Sequence, residues 1–239
     1  MTAGAAAVIE ITRLRKQYGG LRPLRLDGLV VRDGERAALA GLDAAAAEAL
    51  TSLLTGAVLP DEGVVRVLGT STAEIADERA WLASLDRFGI VSARAVLLPA
   101  STLAQNMAIP FTLAIEPVPA AVMERVHALA AEVGLDGRLL ETTTGDAPPE
   151  ALARVHLARA VAHGPRLLIV EHPTALVPPD AGPALGADVA KVAEARGLAV
   201  LAVTGDPRFA VALGGRRLTL DPASGRLAEA SRRRRWFGR

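Results

Sequence analysis

Apolar positions fall into short runs separated by polar turns, and the spacing inside each run indicates an element. Val8 to Leu14 and Leu26 to Val31 flank the turn Tyr18-Gly19-Gly20. They predict two strands of an N-terminal antiparallel layer. Arg36 to Ala40 reads as a short strand that ends at Gly41, and Ala44 to Leu54 is a run of strong helix formers. Val64 to Leu68 is a strand after the turn Pro60-Asp61-Glu62-Gly63, Glu74 to Leu85 a helix, and Gly89 to Val91 a further strand start. The middle of the chain changes character. Thr102 to Ile109, Pro119 to Val133 and Glu150 to Ala162 read as helices, punctuated by Pro110, Pro117, Pro119 and by Ala147-Pro148-Pro149. Strands return at Arg166 to Val170, Leu198 to Thr204 and Arg217 to Leu220, with a helix over Pro183 to Arg196. The expected fold is an α/β sheet core with an antiparallel N-terminal layer and a helical insertion near 98–158. Pattern alone leaves two readings of that insertion, a lid subdomain or a decoration.

Composition narrows the functional classes. With 51% hydrophobic and 22% charged residues over 239 positions, the chain is of globular type. It has no cysteine, which excludes disulfides, thiolate metal sites and cysteine catalysis. Aromatics at 3% are too few for a base-stacking platform, and a formal charge of +1 gives no overall draw towards nucleic acid, so none is expected as a partner. No apolar run reaches the roughly 18–20 residues of a membrane span, and the N-terminus lacks a signal-peptide pattern, so the expected location is cytoplasmic. The lysines are Lys16 and Lys191, against 25 arginines. Chemistry that requires a lysine has two residues to draw on.

The order of the segments resembles a known family. Ile11 to Gly20, the run Val31 to Gly41, Leu54 to Gly63 with Val65 to Gly69, then Leu97-Leu98-Pro99 with Thr102 and Asn106, Ala158-Arg159-Ala160, Pro165 to Leu168 and Pro173-Thr174 resemble the ATP-binding cassette of ABC transporters. The resemblance covers nearly the whole chain and is nearest to the lipoprotein-release and macrolide-export type. It implies a P-loop fold of one cassette over 1–230, with an antiparallel N-terminal sheet, a mixed core sheet and a helical subdomain near 98–158. It also implies ATP and magnesium as cofactors, a membrane permease as partner, and pairing with the same or another cassette.

The residues at the chemical positions depart from that pattern. A phosphate loop of the form G-x-x-x-x-G-K-[ST] wraps phosphates with backbone N–H groups, pairs them with lysine and holds magnesium through a hydroxyl. Here Gly41 is followed by Leu42-Asp43-Ala44-Ala45-Ala46-Ala47-Glu48-Ala49. On the resemblance, the second glycine falls on Ala46, the lysine on Ala47 and the hydroxyl on Glu48. A lysine–phosphate pair near a surface is worth up to ~4 kcal/mol, nearly a thousandfold in affinity. Glu48 adds repulsion there. The glutamine that links metal to the helical subdomain falls on Ala93, the signature on Ala147-Pro148-Pro149-Glu150-Ala151, and the switch histidine on Gly205. The strand carrying the magnesium carboxylate ends in Glu171, a competent ligand, followed by His172 at the general-base position. His172 is either a base or a polar residue at a strand end. Tyr18 either stacks on adenine or packs beside its Gly-Gly turn.

Three functions remain open at this level. A cassette subunit that does not hydrolyse ATP would dock a permease through Arg94 to Phe111, with Arg94, Leu97, Leu98, Pro99 and Asn106 as candidate contacts. A working ATPase would use Glu171 for the metal and His172 as base, and its nucleotide would rest on Tyr18, Gly41, Ala46, Ala47, Glu48 and Ala49. A scaffold or regulatory protein would need no transporter. The tail Ser231 to Arg239, with four consecutive arginines before Trp236 and Phe237, is either a solvated terminus or a contact with an anionic membrane surface or an acidic partner loop.

Overall fold

A computed structural model describes residues 6–230, so the basic tail at 231–239 lies outside the described residues. The first sheet is antiparallel and runs in the order β2-β1-β4-β5, formed by β1 (Ala7–Lys16), β2 (Leu24–Arg32), β4 (Glu62–Val67) and the two-residue β5 (Thr70–Ser71). The second sheet joins β3 (Arg36–Ala40), β6 (Phe88–Ser92), β7 (Leu167–Glu171), β8 (Ala199–Val203), β9 (Arg216–Leu220) and β10 (Leu227–Glu229) in the order β10-β9-β3-β8-β7-β6. Its central pairings are parallel and β10 closes it antiparallel, so it is mixed, as the family resemblance implies.

Seven α-helices are described: α1 (Ala44–Leu54), α2 (Glu78–Leu85), α3 (Leu103–Ala108), α4 (Ala120–Glu132), α5 (Pro149–Val161), α6 (Gly182–Arg196) and α7 (Pro207–Leu213). Every residue of β7 and β8 is buried, the mark of strands covered on both faces. Alternation along β7 shares them out. Leu167 and Ile169 join Ile9, Leu26, Leu39 and Leu53 between the two sheets, while Leu168 and Val170 pack against α3 to α7.

The structure departs from the pattern reading at short elements. The helix expected over Glu74 to Leu85 is split into a single 3₁₀ turn at Thr72–Glu74 and α2. Asp77 restarts it by accepting the Ala80 N–H at 2.7 Å, so the cap rather than the apolar run sets the boundary. Strands β5 and β10, of two and three residues, are too short to show periodicity. Helix α7 has a cap at Asp206 and a stop at Gly214, signals that seven residues of mixed polarity obscure.

Strands β3, β6, β7 and β8 point the same way, and register aligns Ser92 with Glu171, Glu171 with Val203 and Leu39 with Val203. The loops that follow these strands therefore emerge along one edge. The carboxyl edge of parallel strands is where α/β proteins build their sites.

Candidate functional site

The loop from Gly41 to α1 opens this edge. Gly41 has φ 95°, and a Cβ there would stand 2.3 Å from the Leu220 carbonyl oxygen. Its glycine is required by packing against β9. The next turn is capped by the chain itself. The Ala46 N–H donates to Asp43 Oδ1 at 2.8 Å, and the Ala47 N–H donates to the Asp43 carbonyl at 2.9 Å. The first is one of the orphan N–H groups that an anion at a helix start would use, and the second is the first regular bond of the helix. Ala46, Ala47 and Ala49 are buried, packed with Leu50 and Leu53 between the sheets.

Glu48 projects from the start of the second turn of α1 and meets Arg94, which lies on the loop after β6. Arg94 Nη1 is 2.7 Å from Glu48 Oε1, and Nη2 donates to Glu171 Oε1 at 2.8 Å and Oε2 at 2.7 Å. The Glu171 side chain is 5% exposed and that of Arg94 49%. Burial alone would push the Glu171 carboxyl up. The Arg94 hydrogen bonds, then the hydroxyls of Thr51 and Ser92, then the charge of Arg94 together outweigh it and hold the group below the usual carboxylate range. The same contact raises Arg94 further, so both groups are charged at neutral pH.

This geometry changes two expectations. Glu48, read from the sequence as unrelieved repulsion, is neutralised by Arg94. Arg94, grouped with the docking stretch, turns its guanidinium towards α1 and β7. Sequence reading missed the link because Glu171 lies 77 residues from Arg94 and no local pattern connects them. The Asp43 cap had a signal, an Asp directly before a helix-forming run.

His172 follows Glu171 in the left-handed region at φ 41°, where its N–H donates to the Val203 carbonyl at 2.8 Å. Its Nε2 is buried and has no hydrogen-bond partner. Tyr18 is half-buried, with its ring over Gly20, and it lines a cleft with Arg22, Leu24, Gly41, Asp43 and Ala46. The cleft is about 180 Å³. Burial, then the charge of Asp43, raise the Tyr18 phenol. Lys16 is 2.8 Å from Asp61 Oδ1, and Lys191 is exposed on α6, so both stand apart from the loop contacts of Asp43 and Glu48.

Beyond Arg94 the loop is surface. Val96 is 74% and Leu98 42% exposed, Pro99 is exposed and Leu97 packs partly into the helical core. Asn106, also expected as a contact, is fully buried. Its Oδ1 accepts the Leu98 N–H at 2.8 Å and its Nδ2 donates to the Leu98 carbonyl, the Thr102 carbonyl and Thr144 Oγ1. All of its polar atoms are used inside the chain, so Asn106 supports the stretch from beneath. Arg159 does the same at Val96, donating to its carbonyl at 2.9 Å. A groove of about 350 Å³ runs beside this stretch, lined by Phe88, Ala95, Pro110, His156, Arg159 and His163.

The start of α5 carries Pro148 as cap and Pro149 as its first residue, with no side-chain cap bond. Proline supplies no N–H there, which leaves fewer donors for an anion. Among the described residues no cluster of three metal-ligating side chains occurs, and no helix is long and apolar enough to cross a membrane.

No protein-family model matches the sequence. Individual relatives do. The chain is 30% identical over 183 residues to the lipoprotein-releasing system ATP-binding protein LolD 1 of Rhodospirillum rubrum, across 76% of this chain and 80% of that protein. It is 34% identical over 183 residues to the phosphonates import ATP-binding protein PhnC of Anaeromyxobacter dehalogenans, across 73% of this chain and 35% of that protein. The chain spans less than half the length of several curated relatives that it matches. Among solved structures, the dimeric bacterial ABC transporter cassette MJ0796 superimposes with a TM-score of 0.73 at 21% identity, covering 92% of this chain and 98% of that one. At that identity the likeness speaks for the fold.

Proposed function

Because the chain belongs to the family of ABC transporter ATP-binding cassettes, we propose that it is a cassette subunit that does not hydrolyse ATP and acts by docking. In this reading residues 1–230 form one cassette with a helical subdomain near 98–158. It sits at the inner face of a membrane against a permease and pairs with a second cassette.

The observation that carries the reading is the state of the phosphate loop. Its helix start is capped by the Asp43 carboxylate, and the lysine position is the buried Ala47. A magnesium–nucleotide complex fits these residues poorly on three counts. Asp43 and Glu48 bring negative charge towards the polyphosphate. Glu171, the one carboxylate suited to the metal, has both oxygens bonded to Arg94. The cleft beside Tyr18, at about 180 Å³, is smaller than the ~300–1,000 Å³ usual for pockets that enclose a small ligand. Phosphoryl transfer works through positioned charges, and in this reading the lysine, glutamine and switch-histidine positions hold Ala47, Ala93 and Gly205. The buried, unpartnered Nε2 of His172 likewise argues against a base that meets water.

The docking half of the reading rests on Val96 and Leu98, apolar and exposed on a stretch held firmly by Asn106 and Arg159. Exposed apolar side chains on a rigid support suit a protein partner.

Isothermal calorimetry with ATP, with and without magnesium, tests the site. We expect no binding tighter than about 1 mM, roughly −4 kcal/mol; low-micromolar binding overturns the reading. Co-purification from membranes tests docking. Recovery of the chain with a permease, lost on Leu98→Asp, is the expected result, and a chain that never associates with a membrane complex argues for the scaffold alternative.

A further inference from the structure

Three charged groups far apart in sequence meet at one point of the sheet edge. Glu48 comes from α1, Glu171 from the end of β7 and Arg94 from the loop after β6. Two carboxylates converging on one spot, one of them 5% exposed, repel each other and resist ionisation unless a cation lies between them. Divalent metals commonly fill that role, since carboxylate oxygens suit hard cations. In this chain the cation is a guanidinium. Its two terminal nitrogens reach the two carboxylates separately, at 2.7 Å to Glu48 and at 2.7 and 2.8 Å to Glu171.

The geometry points to Arg94 as a resident cation that takes the place of a divalent metal between Glu48 and Glu171. It holds the start of the docking stretch to α1 and β7 without any ligand. Arginine suits the task. It stays charged at every physiological pH, and its planar fork engages two acceptors at once, where an ammonium offers a single point. The backbone around it is already ordered for the reach. The Arg94 N–H donates to Ser92 Oγ at 3.2 Å and the Ala95 N–H to the Ser92 carbonyl at 3.1 Å, closing a tight turn that aims the side chain inward. Arg94 is thus a positioning residue. Its bridge joins the helix after β3, the end of β7 and the loop after β6, the three parts that the sheet register brings to one edge. The inference concerns only charges within the chain, and it stands whether or not the chain docks a permease.

The test is Mn²⁺ binding by the full-length protein, followed by electron paramagnetic resonance, with no nucleotide present. Wild type should bind no Mn²⁺ tighter than about 1 mM. Arg94→Ala should expose the carboxylate pair and bind one Mn²⁺ at least about tenfold tighter. Arg94→Ala combined with Glu171→Gln should return to the wild-type level. Binding by wild type as tight as by Arg94→Ala, or no gain in Arg94→Ala, overturns the assignment. Should Arg94→Ala fail to fold, Arg94→Lys decides the matter by hydrogen exchange. It keeps the charge but not the fork, so amides at 93–98 should exchange about tenfold faster than in wild type; equal exchange overturns the assignment. Nucleotide affinity enters neither readout, so this result and the calorimetric one fail independently.

Discussion

Two loops leave the same edge of the mixed sheet and have opposite designs. The loop after β3, from Gly41 to Glu48, turns its polar groups back on the chain: Asp43 caps α1 and Glu48 pairs with Arg94. The stretch after β6 is held from beneath by Asn106 and Arg159 and presents Val96 and Leu98 outward. The difference separates two kinds of motif position. Positions whose side chain or backbone serves the fold carry the family's residue, as Gly41 does by packing on Leu220 and Asn106 does by four internal hydrogen bonds. In the proposed reading, positions that would face a nucleotide carry something else. Ala47 fills space, and Glu48 needs a counter-ion that Arg94 supplies.

The comparison breaks most readily at Asn106. Asn106→Leu preserves volume but removes the acceptor of the Leu98 N–H and one partner each of the Leu98 carbonyl and the Thr144 hydroxyl, which keep only their bonds to the Ser101 N–H and carbonyl. The expected loss is about 3 kcal/mol of unfolding free energy in urea. A loss below about 1 kcal/mol would mean that Asn106 is not the clamp.

Acid titration comes next, because it separates the regions by pH window. Burial, then the neighbouring Arg159 guanidinium, push His156 in the wall of the groove down to about 4, from an ordinary value of 6.5. The unfolded chain therefore takes up the proton first. The stability this neutral histidine represents is complete above pH 6.5 and is lost as pH falls through about 4, amounting to roughly 2–3 kcal/mol. Glu171 also titrates below its ordinary value, so its contribution is present above that value and is lost only at more acid pH. His156→Gln should flatten the upper acid limb and leave the lower one; thermal melts from pH 7 to 3.5 would read this. An unchanged upper limb removes His156 from the account.

The smallest effect belongs to the phosphate loop. Asp43→Ala removes the α1 cap and should cost about 1 kcal/mol, measured by chemical denaturation. Calorimetry on the same variant should still find no ATP binding, since Ala47 supplies no charge. Low-micromolar affinity in Asp43→Ala would show that the cap alone keeps nucleotide out, and the two loops would then differ less than their contacts suggest.

Much of the fold was legible because its elements are long enough for periodicity to speak. Continuous apolar runs mark β7 and β8, and Ala-rich and Leu-rich repeats mark α1, α4 and α6. The short elements were not, since two or three residues in β5 and β10 carry no period. At the site, Ala47, Glu48 and Ala93, which the proposed reading sets at the lysine, hydroxyl and glutamine positions, were legible position by position. What those positions do now was not. Asn106 read as a contact and is an internal brace, and Arg94 read as surface and is the hub of an ion-pair bridge.

The sequence by itself determined which groups are present. Its only lysines are Lys16 and Lys191, Ala44 to Ala47 are four consecutive alanines, and Glu48 and Glu171 bring carboxylates. Those facts need no coordinates, because the absence of a functional group is a property of the chain alone. Only the tertiary structure decided how the remaining charges are reconciled. A Coulombic contact depends on distance in space, and parallel strands with long crossovers bring Arg94 to 2.7 Å from both Glu48 and Glu171. Residue order cannot foretell that meeting, since each partner sits on a different crossover and the sheet register alone sets where their ends converge.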